Sequence, residues 1–317
     1  MNCLCCGKPL KTENGTGWHA SCIKRFFGTS VLPSIELDDD TLAALVKEST
    51  SRGFTVPGVQ KKLSLHLMSG RGQAPRLTLV NYPTGYILKP QVEAFTSLPE
   101  SEHLVMQMAE RLRIKTVPHA LIGASSGYAF ITKRVDRIID RNGVKKLAME
   151  DLCQLDGRLT ADKYKGSYER CAKIIKQYSS VPALDLAEFF LRIVFSFAVG
   201  NSDMHLKNFS LIETAPESGE YILSPAYDLL PVNLVMPEDK EQLALTLNGK
   251  KANIRRKDFL VFANTIGITE KAAKDMIDKT IAALPKFIQD AEASLLPDDM
   301  KAGLISLMEQ RCEALKG

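Results

Sequence analysis

The run LDLAEFFLRIVFSFAVG, residues 184–200, constrains the fold more than any other stretch. Its apolar residues fall on nearly every side of a helical period, so a helix here must lie buried in the middle of a helical layer. The stretch GNSDMHLKNFSLI begins where that helix ends and places Asp203, His205, Lys207 and Asn208 directly before a second apolar run. Polarity crowded against a core in this way asks for a chemical reason.

A chain of 317 residues exceeds one typical core, which predicts two lobes with a cleft. Hydrophobic residues at 45% and charged residues at 25% are those of a soluble globular protein, and no apolar run approaches the ~20 residues of a membrane span. The opening MNCLCCGKPL lacks a charged segment followed by a long apolar one, so a cytoplasmic location and no membrane partner are expected. A net charge of +4 with both signs interspersed is too mild for a dedicated nucleic-acid binder. The basic group Lys250, Lys251, Arg255, Arg256 and Lys257 reads better as a solvated helix start than as a phosphate patch.

Of 7 cysteines, Cys3, Cys5, Cys6 and Cys22 crowd the N-terminus, and an odd total argues against a disulfide scaffold. Cys3-x2-Cys6, then His19-x2-Cys22, is the paired spacing that tetrahedral zinc requires, with Gly7 closing the first turn and Cys5 left over. A segment this short has little apolar surface with which to order itself, whereas structural zinc supplies roughly 10 kcal/mol. With four protein ligands no position stays open for water, so one Zn²⁺ here would be structural. A reduced, unligated cluster is the competing reading. Cys153, Cys171 and Cys312 stand alone in helical patterns and read as small core residues.

Along the chain, Asp38, Asp39 and Asp40 open a short helix pattern, and the Gly/Pro-broken segment 53–58 passes into alternating Leu63, Leu65 and Leu67. Residues 76–80 and 85–90 read as strands, 101–113 as an amphipathic helix, and 119–137 as a hairpin turning at Ser125–Gly127. Beyond about residue 147 long helical patterns dominate, interrupted by FSLI and YILS as two short strands. The expected fold is α+β and two-lobed. It comprises a zinc-knuckle segment (1–30), a β-rich N-lobe (31–146) and an all-helical C-lobe (147–317).

A β-rich lobe, an early Gly/Pro loop and a polar turn after a buried helix suggest nucleotide-dependent phosphoryl transfer. That chemistry needs a carboxylate to take the proton of the attacking hydroxyl, an amide and a carboxylate for Mg²⁺, a lysine on the phosphates and a backbone loop over them. Asp203 and Asn208 have the Asp-x4-Asn spacing of a kinase catalytic loop. Asp228, beyond the expected hairpin, is placed to return as the second metal ligand, and Lys89 ends the strand YILKP as a phosphate-binding lysine would.

NSDMHLKNFSL resembles the D-G-H-x-K-N-F-S signature of the HipA-like serine/threonine kinases. TVPGVQKKLSL, LPESEHL, TKRVDR, MEDLCQLDG and SPAYDLL resemble further motifs of that family in the same order, and LTLNGK extends the likeness more loosely. The resemblance implies a protein-kinase-like fold, with the ATP-phosphate loop and hinge in the N-lobe and the catalytic loop in the C-lobe, Asp203 as catalytic base, Asn208 and Asp228 as Mg²⁺ ligands, and Lys89 as the ATP phosphate lysine with Glu102 as its partner. It places His205 and Asp136 near the ribose and the backbone of Lys133 to Val135 on the adenine. Val56, Pro57, Gly58, Val59 and Gln60 would cover the phosphates, with Lys62 just beyond. Two departures stand out: Lys133 replaces the usual glutamate of the hinge, and Met204 replaces a glycine, which matters if that position needs a positive φ.

The family also implies a toxin–antitoxin role, a translation component such as an aminoacyl-tRNA synthetase as target, and self-phosphorylation of the loop at Thr55. A phosphate there would repel those of ATP. The N-terminal subdomain of the larger members, which docks with the antitoxin side, would be missing here or supplied by a separate protein. The rival readings are a non-toxin effector kinase, a pseudokinase or scaffold, and a small-molecule kinase on a related fold; a zinc-dependent nucleic-acid binder is the weakest.

Overall fold

The computed structural model describes residues 1–11, 15–35, 62–68, 74–78, 85–124, 127–140 and 143–317. The expected helix after Asp38–Asp40 and the Gly/Pro loop lie outside them. The chain divides into two compact units, one of Met1–His103 with Val117–Val144 and the other of Leu104–Thr116 with Lys145–Gly317.

The first unit is built on a six-stranded sheet of order β1-β3-β2-β4-β6-β5. Its strands are β1 (Ser34–Ile35), β2 (Leu63–Met68), β3 (Arg76–Thr78), β4 (Tyr86–Lys89), β5 (His119–Ala124) and β6 (Gly127–Lys133). All neighbours run antiparallel except β1 and β3. The expected hairpin is β5–β6, in which Ala124 pairs with Gly127. Leu65, Leu77, Leu88, Ala120 and Ile131 line one buried face, and Phe130 is buried on the other. Helix α1 (Ala20–Phe27) adds Phe26 and Phe27, whose rings lie 5.9 and 5.4 Å from that of Tyr86. Helix α2 (Leu98–Arg111) carries Ser101, Glu102 and His103 into the interior of this unit, and the boundary between the units falls within the helix.

The second unit is mainly helical, though the all-helical expectation needs correction. A three-stranded antiparallel sheet joins β9 (Met149–Asp151), β10 (Ser210–Glu213) and β11 (Tyr221–Leu223) in the order β11-β10-β9. The FSLI and YILS strands form the expected hairpin, and β9 pairs along β10 on its other side, which the three residues of β9 are too few to announce by alternation. Strands β7 (Arg137–Asp140) and β8 (Gly143–Lys146) form a separate two-stranded ribbon that begins in the first unit, with the boundary between the units falling within β8.

Helices α3 (Leu152–Leu155), α4 (Tyr168–Tyr178) and α5 (Pro182–Ala198) precede the polar turn. Pro182, at the start of α5, lacks only an N–H that the helix would leave unpaired anyway. Every residue from Phe189 to Gly200 is buried, whereas Leu184, nearer the helix start, is exposed, so the all-round burial begins a turn later than the apolar run. Phe190 and Phe197 of α5 meet Phe262 and Phe259 of α7 (Arg256–Ile266) at 6.0 and 5.5 Å, and Phe195 meets Phe287 of α9 (Leu284–Glu292) at 6.0 Å. The short α6 (Val232–Val235), α8 (Glu270–Ala282) and α10 (Asp298–Lys316) complete the unit. Cys153, Cys171 and Cys312 are buried, as core residues should be. Among the described residues no helix is long and apolar enough to cross a membrane.

Candidate active site

The polar turn exists because α5 stops at one defined point. Gly200 has φ 72°, a left-handed conformation that costs glycine nothing. A Cβ there would overlap Leu307 Cδ2 and sit 3.2 Å from Leu307 Cγ. The chain then turns through Asn201, whose Oδ1 accepts from the Asp203 N–H at 3.2 Å. The Asp203 carbonyl accepts from the His205 N–H at 2.8 Å and from Asn208 Nδ2 at 2.7 Å. The second bond closes the Asp-x4-Asn loop on itself. It also fixes which way the Asn208 amide faces, with Nδ2 turned to the Asp203 carbonyl and Oδ1 turned the other way.

Aromatic side chains hold the loop from outside. Tyr164 donates to Asp203 Oδ1 at 2.5 Å and stands edge-on to the His205 ring at 4.9 Å. Burial and then the Asp203 charge raise the Tyr164 pKa, so its hydroxyl stays protonated and keeps donating. Tyr168 donates to the Met204 carbonyl at 3.1 Å. His205 Nδ1 accepts from the Lys207 N–H at 3.2 Å, which caps the turn Leu206–Asn208. Met204 is fully buried and is not among the residues with positive φ, so the side chain that replaces the family's glycine fits as core without strain.

Asp228 has φ 55°, a region that non-glycine residues occupy rarely and that Asp tolerates better than most. Its neighbour Tyr227 ties this strand exit to the loop: the hydroxyl donates to the Lys207 carbonyl at 3.0 Å and accepts from Ser210 Oγ at 2.5 Å. Lys207 Nζ meets Asp151 Oδ2 at 2.6 Å, while Asp151 caps α3 in a reciprocal box with Gln154. Of the residues that build this site, Tyr164, Tyr227 and Asp151 have no individual role in the sequence, and Lys207 stands out there only as a member of the polar cluster, without its partner Asp151. Tyr227, Asp151 and Lys207 lie inside quoted motifs, where a polar residue beside an apolar neighbour was the available signal; Tyr164 lies in none.

In the first unit, Lys89 at the end of β4 and Glu102 on α2 form an ion pair of 2.5 Å, with side chains 4% and 1% exposed. The Lys89 ammonium also lies 5.3 Å from the Phe130 ring centroid. Asp136 is buried and bound by Arg134 at 2.9 and 2.8 Å and by Arg137. Burial pushes its carboxyl upward, but the two guanidiniums outweigh it and hold the pKa below the usual range. The backbone N–H groups of Lys133 and Arg134 donate to the Pro118 and Gly85 carbonyls, and Val135 is half-buried. Lys62 is exposed ahead of β2, while Thr55, Val56, Pro57, Gly58, Val59 and Gln60 lie outside the described residues. In the basic group, Lys250, Lys251 and Arg256 pair with Asp258, Glu241 and Asp278. Cys3, Cys6, His19 and Cys22 come together in the first unit, each with a ligand atom within 4.8 Å of the others.

Residues 54–288 match the family described as HipA-like C-terminal domain, and the chain belongs to that family. It is 30% identical over 275 residues to "Putative kinase Y4dM" of Sinorhizobium fredii, covering 82% of this chain and 64% of that one. It is 28% identical over 271 residues to a "Putative kinase" of Haemophilus influenzae, at 78% and 75% coverage. A further relative is "Putative kinase Y4mE" of Sinorhizobium fredii, 26% identical over 251 residues, of which the match spans 57% of the length. The fold resembles that of HipA of Shewanella oneidensis MR-1, solved in complex with HipB and its operator DNA. The TM-score is 0.69 at 20% identity, over 83% of this chain and 65% of that one. The Helicobacter pylori proinflammatory kinase CtkA gives a TM-score of 0.54 at 15% identity, over 80% and 94% of the two chains.

Proposed function

We propose that the protein is an ATP- and Mg²⁺-dependent serine/threonine protein kinase of the HipA-like type, acting as the toxin of a toxin–antitoxin pair on a component of translation. The observation that carries the catalytic part is the Lys89–Glu102 pair. Burying two charges costs more than an apolar contact would, so such a pair is a poor stabilising device. A strand lysine held by a helix glutamate is the arrangement that protein kinases use, because it keeps the ammonium in one place for phosphate oxygens.

The second unit supplies the remaining parts. The Asp203 carboxylate, oriented by Tyr164, takes the proton of the acceptor hydroxyl. Asn208 Oδ1 and the Asp228 carboxylate are hard oxygen donors that suit Mg²⁺, and the Asn208–Asp203 bond sets the amide for that use. When bound, Mg²⁺ supplies charge neutralisation to the triphosphate. His205 and Asp136 serve the ribose, Lys133 to Val135 the adenine, and the loop 56–60 with Lys62 the phosphates. Thr55 is the self-phosphorylated brake. HipB, the partner of the Shewanella HipA, supports a protein antitoxin for this chain as well.

Expression of wild type beside Asp203→Gln, scored by growth and by phosphoproteome, tests the reading. Wild type should arrest growth and phosphorylate serine or threonine in a translation protein, and the variant should do neither. Equal arrest by both would remove catalysis as the cause, and phosphorylation of a metabolite alone would favour a small-molecule kinase.

A further inference from the structure

We propose that Cys3, Cys6, His19 Nδ1 and Cys22 hold a structural Zn²⁺, and that this ion locks the N-terminal knuckle over the open edge of the six-stranded sheet. The spacing of the donors carries the first half. A tetrahedron with bonds of about 2.3 Å to sulfur and about 2.0–2.1 Å to nitrogen has edges of about 3.5–3.8 Å. Cys6 Sγ and Cys22 Sγ stand 3.5 and 3.9 Å from His19 Nδ1.

The surroundings are those of a ligand set. His19 Nε2 lies 3.1 Å from the Pro9 carbonyl, so that nitrogen carries the proton and Nδ1 presents its lone pair to the metal. Cys3 Sγ accepts from the His19 N–H at 3.4 Å, and Arg25 donates to Cys22 Sγ at 3.8 Å. Three thiolates and a neutral imidazole around Zn²⁺ leave one surplus negative charge, which the Arg25 guanidinium faces. The Cys3–Gly7 turn is closed by the Gly7 N–H on the Cys3 carbonyl at 2.9 Å, with Gly7 at φ 66°. A sulfur-rich tetrahedral set favours zinc over magnesium or calcium, and four protein ligands leave it without a catalytic position.

The second half rests on where the knuckle sits. Strand β5 ends the sheet order, so among the described residues no strand pairs with its outer backbone groups. Leu121 instead donates its N–H to the Leu4 carbonyl at 2.8 Å, and its own carbonyl accepts from Trp18 Nε1 at 3.1 Å. Leu4 lies between two ligands and Trp18 directly precedes a third, so fixing the donors fixes both edge contacts.

The test uses the full-length protein purified without added chelator. Elemental analysis should find zinc at one ion per chain, and cobalt exchange should give the intense visible bands of a tetrahedral sulfur-rich site. Cys5→Ser should keep the metal, and Cys6→Ser should lose it. Stripping zinc from wild type should abolish hydrogen-exchange protection at the Leu121 amide while leaving α5 protected, a readout that does not depend on kinase activity. Wild type without zinc, full zinc in Cys6→Ser, zinc lost with Cys5→Ser, or unchanged Leu121 protection after stripping would each overturn the proposal.

Discussion

The Lys89–Glu102 pair and the Asp203–Asn208 loop solve the same problem, holding a polar group still, in opposite ways. The pair sits at the end of one regular strand and on one face of one regular helix, and its cost is desolvation of two charges. The loop contains only one short 3-10 turn, Leu206–Asn208. It is held by side-chain bonds to backbone groups, begins from a left-handed Gly200 and is joined through Tyr227 to a left-handed Asp228. A site built on regular elements stores its cost in buried charge, and one built on turns stores it in backbone conformation. The two should therefore fail differently when cut.

The sharpest break is at the pair. Glu102→Gln takes the countercharge of this pair away from the buried Lys89 ammonium and should lower stability by about 3–5 kcal/mol, with loss of kinase activity. Lys89→Met with Glu102→Leu should recover most of that stability in urea denaturation yet stay inactive. An active double variant would show that the pair is only structural. Asp203→Asn in the loop should remove about 10²–10⁴ of the phosphotransfer rate while the thermal midpoint barely moves, because Tyr164 can still donate to the amide oxygen.

Smaller in free energy is Gly200→Ala. The left-handed φ and the overlap with Leu307 should together cost about 1–3 kcal/mol, read as a lower urea midpoint at unchanged slope. Smallest is the acid limb. Because its folded-state pKa is lowered, Asp136 contributes stability above the ordinary carboxylate pKa and loses it as pH falls through the lower, folded-state value. Asp136→Asn should therefore be less stable than wild type at neutral pH and show a flatter decline on acidification. Identical acid limbs would mean that the Arg134 and Arg137 contacts carry no net stabilisation.

The same contrast explains what the sequence made legible. Helix α5, the β5–β6 hairpin and the place of Lys89 follow from periodicity and from which residues end an apolar strand, since regular elements repeat their geometry, whereas Glu102 as the partner of Lys89 follows only from the resemblance to kinases. The spacing of Asp203, Asn208 and Asp228 was visible because a hairpin of two short apolar runs separates the amide from the second acid. Tyr164 was not visible: its contact with Asp203 spans 39 positions and depends on how the segment before α4 folds back, which no local pattern encodes. Strand β9 was missed because three residues give no alternation to read, and because its partner lies far along the chain. The cysteine knuckle was legible as ligand spacing, but its hold on Leu121 was not, since an edge strand has no sequence mark of its own.

The most direct measurement is calorimetric titration of Mg·ATP into wild type, Asn208→Ala and Asp228→Asn, each with Mg²⁺ and with EDTA. Saturable uptake by wild type that requires Mg²⁺ and is strongly weakened in both variants is the predicted result. No uptake by folded wild type, or uptake indifferent to Mg²⁺ and to both substitutions, would contradict the account.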